Sequence, residues 1–172
     1  MTFPLFDRLP AIQGTCWHHG KLAMIWSQKS ADILLVEDDA KDAELVLEAL
    51  GERNISKQII HVVDGYEALD FIAYLGVVAG TQEVAVPKVV LLDLKLKTVS
   101  GLEVLEQLKS EERTRQIPVV VFTASLSGIE LIVSYRLGVN SYVVKPTDHE
   151  KFKRIVGEIG HYWINVNQLP TH

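Results

Sequence analysis

The chain alternates short, almost wholly apolar runs with longer runs of helical period, and no other feature constrains its fold as strongly. The short runs are ILLV at 33–36, IIHVV at 59–63, VVLL at 89–92, VVVF at 119–122 and YVV at 142–144. They are mostly β-branched and apolar at nearly every position rather than at every second one. Strands of that kind are covered on both faces, as in a parallel sheet. Between and after them the apolar spacing predicts helices over about 40–53, 65–78, 101–111, 127–138 and 148–164. Ser100 with Glu103 and Thr147 with Glu150 fit the capping box, and Asp64 with Glu67 is a close variant. Gly51 and Gly138 stand where helices should stop.

Repeated strand–helix units imply right-handed crossovers and an open α/β sheet with helices on both faces. Five strands and five helices suit a flavodoxin-like, doubly wound parallel sheet of order 2-1-3-4-5, an order taken from that fold class rather than deduced from these residues. Residues 1–30 fall outside the alternation. They hold Pro4, Pro10, Trp17 and Trp26 without a clean period, and are read as an N-terminal extension to a domain over 31–172. A length of 172 residues fits that division, one domain with an arm. A net charge of −5 gives no general attraction for nucleic acid or an anionic membrane. The single cysteine, Cys16, cannot form an internal disulfide, which fits a reducing compartment. No apolar run reaches the roughly 18–20 residues of a membrane span. The opening MTFPLFDRLP lacks the features of a secretory signal. The expectation is a cytoplasmic protein.

In doubly wound sheets the functional crevice lies beyond the carboxyl ends of the strands. Here the first run ends in Glu37, Asp38 and Asp39, the third in Asp93, the fourth in Thr123, Ala124 and Ser125, and the fifth in Lys145 and Pro146. Strand ends far apart in the chain thus bring acids, a hydroxyl and an amine to one rim. Clustered carboxylates repel one another and call for a cation. Their oxygens suit a hard ion such as Mg²⁺. Such an ion would offset the charge of an incoming phosphoryl group and help align it with an oxygen of Asp93. Lys145 would bring a point charge to a phosphoryl oxygen and Thr123 a short donor to another. Each residue alone has an ordinary reading. Asp38 and Asp39 are good helix caps, and the cap reading is kept for Asp39. Lys145 can be a solvated loop lysine and Thr123 a turn former. Asp93 follows four apolar residues and precedes Leu94 and Leu96, which puts it near the crevice floor.

ILLVEDD at 33–39, LLDL at 91–94, Thr123 with Ala124, and YVVKP at 142–146 together resemble the receiver domain of two-component response regulators. Gly101, eight residues after Asp93, matches that family's loop glycine. The resemblance covers about 31–165. It implies that Asp93 is the phosphoacceptor, that Asp38 binds Mg²⁺ directly and Glu37 through water, and that the backbone carbonyl of Lys95 is a further metal ligand. It implies that Lys145 pairs with the phosphoryl group, with Thr123 and Ala124 lining the phosphate site and Tyr142 as a coupled aromatic switch. It also implies a cis bond before Pro146 that aims the amine inward. Three positions depart from the usual pattern. Leu96 and Lys97 stand where the family often has Met-Pro, Thr147 where it often has Phe, and Lys95 at a position that tunes dephosphorylation. No reacting group is lost.

The ending YWINVNQLP at 162–170 and the stretch between Gly65 and Val86 resemble small regulators that partner bacterial and cyanobacterial phytochromes. That implies a phytochrome as the upstream sensor histidine kinase. The alternative is that Tyr162 and Trp163 simply seal the last helix against the sheet. Beyond 165 the sequence offers only a short tail, and 1–30 lacks a helix-turn-helix pattern, so output by protein contact or phosphoryl relay is expected rather than DNA binding. Ile129, Leu131, Ile132, Val133, Tyr135 and Leu137 exceed one buried stripe. A homodimer through the fourth and fifth helices and the fifth strand, with Ile132 and Tyr135 in the face, is expected from the resemblance. The alternative is a wide core face.

Two rival functions share part of this pattern. A phosphatase of the haloacid dehalogenase type also uses an aspartate after an apolar strand, but needs a second Asp two residues on as general acid, where this chain has Lys95. A pseudo-receiver that only binds partners would not need Asp38, Asp93, Thr123 and Lys145 together. The protein is accordingly expected to accept a phosphoryl group and not to be an enzyme.

Overall fold

The computed structural model describes residues 31–55, 58–78 and 86–169. The expected extension over 1–30 lies outside the described residues. Five strands, β1 (Ile33–Val36), β2 (Ile59–Val62), β3 (Val89–Leu92), β4 (Val119–Thr123) and β5 (Ser141–Val144), form one sheet of order β2-β1-β3-β4-β5. Every pairing is parallel, with Ile33 beside both Ile59 and Val89, Val90 beside Val119, and Val120 beside Ser141. The helices are α1 (Ala40–Glu52), α2 (Gly65–Val78), α3 (Gly101–Ser110), α4 (Gly128–Arg136) and α5 (His149–His161), followed by a π-helical turn over Tyr162–Val166.

Side chains alternate across a strand, and the two faces divide the core accordingly. Leu34, Val36, Val90, Leu92, Val119 and Val121 point to one face and pack with Phe71 and Ile72 of α2 and Leu105 and Leu108 of α3. Ile33, Leu35, Val89, Leu91, Val120 and Phe122 point to the other and pack with Val46 and Leu50 of α1 and Phe152 and Val156 of α5. Wholly apolar strands are therefore required, because β1, β3 and β4 are buried along their whole length.

The helix starts follow local chemistry. Asp39 caps α1, accepting from the backbone N–H groups of Lys41 and Asp42, as expected of it. Ser100 and Glu103 form the full capping box of α3. The box expected from Thr147 and Glu150 does not form. Asp148 caps α5 instead, accepting from Lys151 N, because the chain enters the helix one residue later. Gly51 does not stop α1, which runs to Glu52. Gly138 does follow α4, at φ +91°, a conformation that suits glycine.

α4 departs from the pattern of a core helix: its buried residue is Ser134. Ile129 is 76% exposed, and Ile132 and Tyr135 54% each, so the wide core face is not what this helix provides. Trp163 packs against the α1–α5 core while Tyr162 stays exposed, so the sealing role falls to the tryptophan alone.

Candidate functional site

The carboxyl ends of β1, β3, β4 and β5 bring Glu37, Asp93, Thr123 and Lys145 into one buried pocket. Asp93 continues the ladder beyond β3, its N–H donating to Val36 O at 3.0 Å, and Lys145 does the same beyond β5, donating to Thr123 O at 2.8 Å. Backbone pairing thus fixes where both side chains begin. Gly101 lets the β3–α3 loop close over the site, since a Cβ there would collide with the Asp93 carbonyl oxygen and Leu94 Cα.

Lys145 Nζ donates to Glu37 Oε2 at 2.6 Å, Asp93 Oδ2 at 2.7 Å and Asp42 Oδ2 at 2.9 Å. The ammonium is almost fully enclosed and stands 5.9 Å from the centroid of the Phe122 ring. The other oxygen of Asp93, Oδ1, accepts from Lys95 N at 3.0 Å. Burial alone would push the Asp93 carboxyl up. The charge and hydrogen bond of Lys145, the Lys95 N–H and the Thr123 hydroxyl outweigh it and hold the group below its ordinary value. Glu37 goes the other way. Burial, with the Asp93 charge adding to it, prevails over Lys145 and raises it to about 7. Burial acts to lower Lys145, but Glu37 and Asp93 overcome it and the amine is held above its ordinary value. Of these two carboxylates Asp93 is the one held ionised at neutral pH, which is what a nucleophile requires.

Asp38 makes its contacts with the β3–α3 loop. Its Oδ2 accepts from Lys97 N at 3.0 Å. Thr123 is fully buried, and its Oγ1 accepts from Ser125 N at 3.3 Å. Ala124 is exposed and brings only backbone to the rim. Tyr142 O–H donates to Ser125 O at 3.3 Å, which ties the aromatic to the loop after Thr123. The cis bond expected before Pro146 is not present: among the described residues no peptide bond is cis. The bond keeps the ordinary trans form, and the extended strand end together with the three carboxylates already brings the Lys145 amine inward.

Two residues join the site without having been expected there. Asp42, in the first turn of α1, reaches Lys145; an acid three residues after the Asp39 cap was the available signal. Glu130, in the first turn of α4, receives Lys95 Nζ on Oε1 at 2.6 Å and the Ser125 hydroxyl on Oε2. Ser125 is buried beside it. No periodic pattern pairs Glu130 with Lys95, thirty-five residues away.

Among the described residues, no three His, Cys, Asp or Glu side chains stand ready as metal ligands. The reason is local: the oxygens of Glu37, Asp42 and Asp93 converge on the Lys145 ammonium, and Asp38 is turned to Lys97. The donor chemistry nonetheless suits a hard divalent cation, with four buried or part-buried carboxylates, Glu37, Asp38, Asp42 and Asp93, at one rim. No helix of the described residues is long and apolar enough to cross a membrane.

Residues 33–157 match the response regulator receiver domain. The chain is 44% identical over 138 residues to the probable methanogenesis regulatory protein FilR2 of Methanothrix harundinacea, covering 80% of this chain and 86% of that protein. It is 36% identical over 139 residues to response regulator Rcp1 of Synechocystis, covering 81% and 92%. The Mn²⁺-bound crystal structure of Rcp1 superposes with a TM-score of 0.71. The phosphorylated cyanobacterial phytochrome response regulator RcpA superposes with a TM-score of 0.72 at 34% identity, covering 81% of this chain and 97% of that one.

Proposed function

The chain belongs to the response regulator receiver family, and from that premise we propose that it takes a phosphoryl group from a sensor histidine kinase onto Asp93. The observation that carries the proposal is the shared ammonium: Lys145 lies 2.7 Å from an Asp93 oxygen that stays ionised in a nearly closed pocket. In the transfer, an oxygen of Asp93 forms a bond to phosphorus as the bond from phosphorus to the donor's imidazole nitrogen breaks. The imidazole leaves with the electron pair. The product is an acyl phosphate on Asp93.

The chain's own residues prepare that step. The Lys95 N–H and the Lys145 amine hold the two oxygens of Asp93 in place, which lowers the entropic cost of alignment. Lys145 then exchanges a carboxylate oxygen for a phosphoryl oxygen, and Thr123 turns its hydroxyl to another. Glu37, Asp38 and the Lys95 carbonyl would hold Mg²⁺, with Asp93 itself; the ion supplies charge neutralisation of the phosphoryl oxygens when bound. The Mn²⁺-bound structure of Rcp1 supports this choice of ion class. Movement of Thr123 would pull on Ser125 and so on Tyr142, a local charge event read out by the β4–α4 loop.

For the donor we propose a phytochrome-type kinase, on the likeness to RcpA and on the 162–170 ending. For the output we propose protein contact, with homodimerisation through α4, β5 and α5, and no nucleic acid or membrane partner, in the cytoplasm. The phosphatase reading is disfavoured by Lys95, whose amine is held above its ordinary value by the hydrogen bond it donates to Glu130, so it is a poor proton donor at neutral pH. The pseudo-receiver reading leaves the shared ammonium and the ionised Asp93 without a task.

The test is uptake of labelled phosphoryl from acetyl phosphate, with and without Mg²⁺, by the wild type and Asp93→Asn. Uptake by the wild type that depends on Mg²⁺ and disappears in the variant is the expected outcome. Equal label on the variant would remove Asp93 from its role.

A further inference from the structure

The three lysines at this rim divide its carboxylates among them. Lys145 takes Glu37, Asp42 and Asp93, and Lys95 takes Glu130. Asp38, which Lys145 does not touch, is held by Lys97. The Lys97 backbone N–H meets Asp38 Oδ2 at 3.0 Å, and its Nζ lies 3.5 Å from the same oxygen and donates to the Asp38 carbonyl at 3.3 Å. The two partners differ sharply in exposure: the Asp38 side chain is 9% exposed and that of Lys97 76%. An ammonium therefore reaches in from solvent to cap a nearly buried carboxylate.

We propose that Lys97 is a built-in competitor for the divalent cation at Asp38. A metal ion that takes an Asp38 oxygen meets a positive charge already in place, and the two charges repel at close range. The exposed lysine stem can swing outward without disturbing the core. The backbone N–H stays where it is and continues to orient the carboxylate. Binding of the ion and release of the lysine are thus one exchange, and the affinity of the site is set below what its oxygens alone would give. The tether also accounts for the contact Asp38 makes with the loop. The proposal rests on the reading of this pocket as a metal site, made above.

The test is a calorimetric titration of the full chain with Mn²⁺ at low ionic strength, for wild type, Lys97→Gln, Lys97→Arg and Asp38→Asn. The neutral variant is expected to bind Mn²⁺ about two- to fivefold more tightly than wild type, the range an exposed ion pair supports. The arginine variant, which keeps the charge, is expected to bind like wild type. Added salt should narrow the gap, because it screens an exposed ammonium more than a buried site. Lys97→Gln binding no more tightly than wild type would overturn the proposal while leaving the metal site intact. No Mn²⁺ binding by wild type, or equal binding by Asp38→Asn, would overturn the metal-site reading itself and the competitor role with it.

Discussion

Glu37 and Asp93 share one ammonium, yet burial raises the first to about 7 while hydrogen bonds and charge hold the second below its ordinary value. The difference follows from donors. Asp93 has Lys145, the Lys95 N–H and Thr123, whereas Glu37 has Lys145 and a 3.2 Å contact from Asp39 N. Between pH 4.5, where an unfolded glutamate releases its proton, and about 7, the folded state holds a proton the unfolded chain has lost. Unfolding then releases a proton, so this group's contribution to stability falls as pH rises through that window, by up to about 1.4 kcal/mol per pH unit. Asp93 acts in a separate window, below 3.8, where its contribution is lost as pH falls. Denaturant midpoints of wild type and Glu37→Gln, followed from pH 4.5 to 7.5, should show wild type losing ground to the variant. A gap that does not move with pH would contradict the proton assigned to Glu37. Asp93, Thr123 and Lys145 were legible in the sequence because each ends a strand, and strand ends share one rim by topology. Asp42 and Glu130 were not, because their reach depends on side-chain geometry from the first turns of helices. The trans bond before Pro146 was misread because the resemblance, and not a physical requirement of this chain, supplied the cis form.

Among the elements, the strands were the easiest to read, since burial on both faces removes the polar alternation and leaves unbroken apolar runs. Helix ends were harder. Thr147 with Glu150 and Asp148 with Lys151 compete as caps one residue apart, and a carboxylate is at least as good a cap as a threonine hydroxyl. The excess of apolar residues in α4 was visible, but two explanations fitted it. Burial removes the wide core face: Ile129, Ile132 and Tyr135 are exposed, outside both cores. Exposed apolar side chains on one helix suit contact with a partner. Introducing glutamate at both Ile132 and Tyr135 should convert a dimer to a monomer in light scattering, with the fold unchanged, because neither residue belongs to either core. A dimer that survives both changes would move the interface to another face.

At the scale of the molecule, two apolar cores clamp the sheet and leave its carboxyl edge for chemistry. The placing of the crevice was legible because the strand ends of a doubly wound sheet share one rim, whereas the order β2-β1-β3-β4-β5 was expected from the fold class and not from these residues. The same architecture links the acceptor to the outer surface in few steps: Asp93 to Lys95, Lys95 to Glu130, and Glu130 at the start of the exposed α4. The proposed function comes down to one covalent event at one residue. Borohydride reduction of the phosphorylated chain converts an aspartyl phosphate to homoserine, and peptide sequencing by mass spectrometry reads its position. Homoserine at 93, and none in protein treated without phosphodonor, is the result this account predicts. Homoserine at another aspartate, or its absence from protein shown to carry phosphoryl label, would contradict it.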